Sequence, residues 1–276
     1  MKFSKWQGCG NDFIYIDGRN ADIDYAAFAK KYCDRHFGIG ADGVLALENT
    51  DEADASMRII NPDGTEPEMC GNGIRCFARA LYDFGIIKKD EFTVKTGAGI
   101  LTPKIIFENG KITGIRVDMG KPRLNASEIP VVGLGDGQII NQPIEVLGKT
   151  YHITCVSMGN PHAVVFVDDI KTCDIENIGR HFETHKAFPH KTNTEFVQII
   201  DRKHLRMRVW ERGAAITLAC GTGTCASVVA AVLNQKAERQ AEVTLDGGKL
   251  FIDWQEDGRV FMTGGAEPVF EGELYA

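Results

Sequence analysis

The sequence lacks several features that would each have assigned it a class. It has no surplus of positive charge. Its 31 Lys and Arg stand against 38 Asp and Glu, a net charge of −7, the wrong sign for holding a nucleic-acid backbone by bulk electrostatics. No apolar run approaches the roughly 18 residues of a membrane span. The opening Met1-Lys2-Phe3-Ser4-Lys5-Trp6-Gln7-Gly8 has no apolar stretch of the secretory kind. No Cys-x-x-Cys occurs, and the closest cysteine pairs, Cys70/Cys76 and Cys220/Cys225, are spaced too widely for the usual zinc half-site. His181-Phe182-Glu183-Thr184-His185 is not the His-Glu-x-x-His of metalloproteases. The expectation is a cytoplasmic protein with no nucleic-acid partner, no membrane association and no metal. A small anionic or zwitterionic substrate stays open, because only the local field at its site matters.

What is present is ordinary in bulk and unusual in one residue type. The 276 residues, 43% hydrophobic and 25% charged, suit one large globular domain or two of common size. Eight cysteines, at 9, 33, 70, 76, 155, 173, 220 and 225, stand in a chain without an export signal. In a reducing compartment they are expected to be thiols rather than disulfides.

The halves of the chain resemble one another. Met69-Cys70-Gly71-Asn72-Gly73 and Ala219-Cys220-Gly221-Thr222-Gly223 lie 150 positions apart, and Gly10-Asn11 and Gly159-Asn160 recur at an offset of 149. Two matches in register imply a duplicated unit of about domain size. Ser56–Asn61 reads as a strand, followed by the turn Pro62-Asp63-Gly64. Ile74, Phe77, Leu81 and Phe84 then recur at helical spacing up to Gly85. In the second half Leu205–Trp210 alternates as a strand, and Ala226–Leu233 reads as a buried apolar helix. Each half thus sets a cysteine and a Gly-x-Gly at a helix N-terminus. Glu108-Asn109-Gly110, Asp246-Gly247-Gly248 and Asp257-Gly258 mark hairpins, and Tyr25–Arg35 reads as a surface helix capped by Asp24. Residues 120–150 lack periodicity and are expected to carry the crossing between halves. The fold class expected is α+β, with two pseudo-symmetric domains, each a curved, mostly antiparallel sheet or barrel around a central helix, and an active-site cleft between them. The expected domains are 1–118, completed by a C-terminal strand at 265–276, and 119–264.

A helix N-terminus offers unpaired N–H groups and the positive end of a dipole, so the thiol pKa at Cys70 and Cys220 is expected to fall. The glycines allow the backbone to approach an anion such as a carboxylate. One such turn fits a nucleophile, a redox thiol or a simple helix start. Two of them facing one ligand could exchange protons at opposite faces of a tetrahedral carbon and so invert it.

Four further motifs narrow the possibilities. Lys5-Trp6-Gln7-Gly8-Cys9-Gly10-Asn11-Asp12-Phe13, Glu68–Cys76, Met158-Gly159-Asn160-Pro161-His162 and Trp210-Glu211-Arg212-Gly213, followed by Leu218–Gly223, resemble the motifs of the diaminopimelate epimerase family, in order and over nearly the whole chain. The resemblance implies a cofactor-independent, metal-free isomerase that interconverts LL- and meso-diaminopimelate, as a homodimer. It implies Cys70 and Cys220 as the acid/base pair, with His162 and Glu211 auxiliary to them. It implies Asn11, Asn72 and Asn160 at the reacting end, and the amides of Gly71, Asn72, Gly221 and Thr222 on the α-carboxylate. Asn61, Asn193, Glu211 and Arg212 complete the substrate-binding set. Trp6, Gln7, Cys9, Gly43 and Ile216 stand where the family commonly has other residues. The alternatives are another pyridoxal-independent amino-acid racemase on the same scaffold, and a thiol redox or ligand-binding protein without catalysis.

Overall fold

A computed structural model of the chain describes residues 1–275. It divides into two compact units, one of Met1–Asp118 with the residues from Thr263 onward, the other of Met119–Met262.

The first unit opens with β1 (Lys2–Gly8) and β2 (Asn11–Asp17), joined by a two-residue turn. Cys9 and Gly10 hold φ of 54° and 79° in that turn, the left-handed pair that tight hairpins require. Helix α1 (Tyr25–Tyr32) follows, capped by the Asp24 carboxylate on the Ala27 N–H. It is shorter than expected and not a free surface helix, because Tyr25, Phe28 and Ala29 are buried. It stops early because the Asp34 carboxylate takes the N–H groups of His36 and Phe37 into a turn. β3 (Gly43–Glu48), β4 (Ala55–Ile60), helix α2 (Gly71–Asp83), β5 (Val94–Thr96) and β6 (Gly99–Leu101) complete the main sheet, and β7 (Lys104–Glu108) and β8 (Lys111–Asp118) form a hairpin. At its tip Asn109 and Gly110 have φ of 51° and 74°.

The second unit contains β9 (Gln142–Val146), β10 (Lys149–Ser157), β11 (Pro161–Phe166), α3 (Ile175–Glu183), β12 (Asn193–Ile199), β13 (His204–Glu211), β14 (Ala215–Thr217), α4 (Gly221–Leu233), β15 (Gln240–Thr244) and β16 (Lys249–Trp254). The chain returns to the first unit along β17 (Val260–Gly264) and ends with β18 (Glu267–Glu273), which pairs antiparallel with β1. The last residue of the C-terminal strand expected at 265–276, Ala276, lies outside the described residues. Within 120–150, unpatterned in sequence, residues 142–146 form β9 against β10.

Pairing repeats between the units. The main sheet of the first runs β18-β1-β2-β3-β4-β5-β6, parallel only at β2/β3 and β4/β5. In the second, β11/β12 and β13/β15 are the parallel pairs and the others described are antiparallel. Parallel neighbours need a crossover, and α1, α2, α3 and α4 supply the four. Register repeats too: Leu45 faces Ile59 across β3/β4, and Glu195 faces Val209 across β12/β13, both 150 residues on. Helices α2 and α4 are buried over most of their surface, so each unit is a sheet packed on a buried helix. Among the described residues no helix is long and apolar enough to cross a membrane.

Candidate active site

In the first unit Cys70 is the N-cap of α2, extended at φ −138°, and its Sγ accepts the Gly73 N–H at 3.4 Å. Its thiol donates to Asn11 Oδ1 at 3.7 Å. The same oxygen accepts from Asn72 Nδ2 at 3.1 Å, while Asn11 Nδ2 donates to Asp42 Oδ2 at 2.8 Å. Asp42 thereby fixes which end of the Asn11 amide meets the thiol. Behind the turn the guanidinium of Arg75, fully buried, donates to Asn72 Oδ1 at 2.9 Å and to the Gly71 carbonyl at 2.9 Å. Cys9 lies beside it, with Sγ 3.7 Å from Arg75 Nη2. Asn61 sits just beyond β4, its Nδ2 donating to Thr65 Oγ1 at 2.9 Å.

The second unit repeats the turn. Cys220 is the N-cap of α4, extended at φ −127°, and its Sγ accepts the Gly223 N–H at 3.4 Å. Thr222 Oγ1 is 3.5 Å from the sulfur. Glu211, at the end of β13, accepts from Thr217 Oγ1. His162, wholly buried on β11, has Nδ1 2.7 Å from Glu195 Oε1 and Nε2 3.0 Å from Asn160 Oδ1. Asn193 is buried with both ends of its amide on main chain, donating to Pro161 O at 3.0 Å and accepting the Arg212 N–H at 2.8 Å. It therefore braces Arg212, whose exposed guanidinium reaches the His190 carbonyl at 3.0 Å.

One expectation is overturned. The thiol of Cys220 does not titrate low; it is pushed well above its ordinary value. Burial is the largest cause, and the carboxylates of Glu211 and Glu195 act in the same direction. The Thr222 hydroxyl and the Gly223 N–H oppose them and lose, because a helix end acts mainly through its first turn while desolvation acts on the whole thiolate. Burial also raises the Glu211 carboxyl, with Glu195 adding to it. The structure thus brings Cys70, Gly71, Asn72 and Asn11 together in one unit. In the other it gathers Cys220, Gly221, Thr222 and Glu211, with Asn160 on His162 and Asn193 on Arg212.

Sequence reasoning missed Asp42, Arg75 and Glu195. Asp42 precedes a strand outside the motifs; Arg75 lies within Glu68–Cys76, but nothing in that motif marks its side chain as buried. Glu195 was findable: carrying the offset of 150 from Cys70/Cys220 into β3 and β12 sets it against Leu45, an apolar counterpart. Among the remaining cysteines Cys76 and Cys225 are wholly buried in the helices, as packing thiols are.

The chain is similar over its length to proteins of one activity. The diaminopimelate epimerase family profile matches residues 3–125 and 154–269. Diaminopimelate epimerase 1 of Nostoc sp. is 54% identical over 281 residues, covering 99% of each chain. The diaminopimelate epimerase of Pelotomaculum thermopropionicum is 50% identical over 276 residues, covering 99% of this chain and 98% of its own. Among solved structures, a PhzF-family phenazine biosynthesis protein of Bacillus anthracis matches with a TM-score of 0.74 at 18% identity, over 100% of this chain and 99% of its own. A hydroxyproline epimerase from Agrobacterium vitis matches at 0.67 and 14% identity, over 99% and 91%. At such identities the structural likeness speaks for the fold.

Proposed function

We propose that the chain, which belongs to the diaminopimelate epimerase family, interconverts LL- and meso-diaminopimelate by passing protons at the α-carbon between two thiols, those of Cys70 and Cys220. The observation that carries this is the duplicated turn: in both units a cysteine caps a helix and takes the N–H three residues on at 3.4 Å.

Inversion by proton exchange needs a base on one face of the α-carbon and an acid on the other. A thiol serves in either role, as thiolate when it removes the proton and as thiol when it returns one. The α-proton is weakly acidic, and every tenfold in rate requires about 1.36 kcal/mol of barrier lowering. First-turn amides of Gly71, Asn72, Gly221 and Thr222 are suited to the α-carboxylate, where they stabilise the charge that develops on proton removal. The Glu211 carboxylate acts on the Cys220 thiol through its charge, and Glu211 serves to take its proton when that sulfur must act as base. Asn11 and Asn72 orient the reacting end beside Cys70, and Asn160, held by His162, does so in the other unit. Asn61 and Arg212, the latter braced by Asn193, serve the distal amino-acid end, where a guanidinium pairs with a carboxylate through two parallel hydrogen bonds.

The proton transfers are carried by these side chains and backbone amides, with no call for pyridoxal or a metal. The same reading takes 1–118 with the strand at 265–276, and 119–264, as the two epimerase domains, the protein as a homodimer, and the cytoplasm as its compartment, since the two thiols must stay unbridged. Inversion of LL-diaminopimelate by Cys70→Ala and Cys220→Ala tests it. Each variant is expected to lose about 10²-fold or more in kcat; full activity in either would remove the two-thiol mechanism.

A further inference from the structure

Glu195 is a costly residue in a place where the fold does not need it. It lies on β12 with no solvent exposure, beneath the first turn of α4. Its Oε1 is 2.7 Å from His162 Nδ1, and its Oε2 is buried with no hydrogen-bond partner among the described residues. The first turn of α4 is shaped around it: a Cβ on Gly223 would lie 2.5 Å from Glu195 Oε1. In the first unit the same place, at the same register and under the matching glycine, holds Leu45, whose Cδ2 would be 3.2 Å from a Cβ on Gly73. Burying a carboxylate is costly even when it is paired, and one half of this protein builds the turn without one. A role in chemistry accounts for the difference.

His162 shows what that role is. The imidazole has an oxygen at each nitrogen, Glu195 Oε1 at Nδ1 and Asn160 Oδ1 at Nε2. A carboxylate against Nδ1 keeps a proton on that nitrogen and turns Nε2 toward Asn160, whose Oδ1 accepts there only from an Nε2–H. Asn160 in turn corresponds to Asn11 of the first unit, whose amide is oriented by a carboxylate directly, through Asp42. Both units therefore steer the equivalent asparagine with an acid. In the first it holds the amide nitrogen and leaves Oδ1 to Cys70; in the second a histidine is interposed, with Nε2 3.0 Å from Oδ1.

We propose that Glu195 is a positioning residue for the proposed epimerisation, holding the His162 ring by its Nδ1–H and, through Nε2 of that ring, the place of Asn160. The proposal rests on the two-thiol function but is read out separately from it. The test compares wild type, Glu195→Gln and Glu195→Leu, using nitrogen NMR of the His162 ring without substrate, kinetics with LL-diaminopimelate, and thermal unfolding. Glutamine keeps an oxygen for Nδ1–H, whereas leucine copies the first unit and removes the acceptor. Expected are a protonated Nδ1 in wild type and in Glu195→Gln and loss of that preference in Glu195→Leu. The kcat of Glu195→Leu should fall about 10²-fold with KM changed far less, and Glu195→Gln should recover part of it. Glu195→Leu should melt no lower than wild type, since an apolar residue replaces a buried charge. An unchanged ring preference in Glu195→Leu, kcat within about twofold of wild type, or no recovery in Glu195→Gln would each overturn the proposal. Should Glu195→Leu fail to fold, loss of the Nδ1 proton in Glu195→Gln overturns it and retention with a lowered kcat supports it. Failure of the wild type to invert diaminopimelate would strike the proposed function instead, leaving the NMR result standing.

Discussion

The Cys220 thiol stands at the positive end of a helix, yet it holds its proton more tightly than a thiol in water. Burial and the two neighbouring carboxylates outweigh the helix end. Its folded pKa is raised, so the protonated thiol is the favoured form and the thiolate appears only as pH rises past the ordinary range. Alkylation of Cys220 by iodoacetamide, followed by mass spectrometry across pH, is expected to show a midpoint above 9.0, the ordinary thiol value. In Glu211→Gln, which removes one opposing charge, the midpoint should move down. A wild-type midpoint below 9.0 would mean that the helix end dominates after all. At this scale the sequence made the two cysteines legible through their repetition. It did not reveal their electrostatics, because Glu195 reads locally as one polar residue in a strand, and only pairing of β11 with β12 sets it beside His162.

Elements were easier to read than their neighbours. Strands β4 and β13, helices α2 and α4 and the Asn109-Gly110 hairpin followed from periodicity and turn chemistry, which are local. Helix α1 ended early because the Asp34 turn competes with it, and β9 was invisible because its pairing with β10 is tertiary. The two cysteine turns look alike in sequence but are packed differently beneath. Under Gly73 lie the methyl ends of Ile59 and Leu45, at 3.2 Å from an added Cβ; under Gly223 lies the fixed carboxylate of Glu195, at 2.5 Å. Gly73→Ala is therefore expected to cost less than Gly223→Ala, with about 1–3 kcal/mol for the latter by denaturant unfolding, the range for overpacking a tight core. Equal costs would show that the two turns tolerate a side chain alike.

For the whole molecule the internal repeat is the feature with the longest reach. An offset of 150 residues, visible in two pentapeptides, extends to strand register, to the placement of parallel pairs and to the caps of α2 and α4. It extends to the asymmetries as well, since Leu45 against Glu195 gives the second half an acid that the first does without. The halves differ at a few buried positions and set two thiols in similar turns with dissimilar surroundings, a difference that the proposed acid/base pairing would use. Conversion of LL-diaminopimelate in D₂O, sampled at low turnover, examines that pairing. The two-thiol mechanism predicts meso product carrying one solvent deuterium at the inverted carbon, while the remaining LL substrate keeps its protium. Meso product that retains the original protium would mean that a single group carries the proton from one face to the other, and would contradict it.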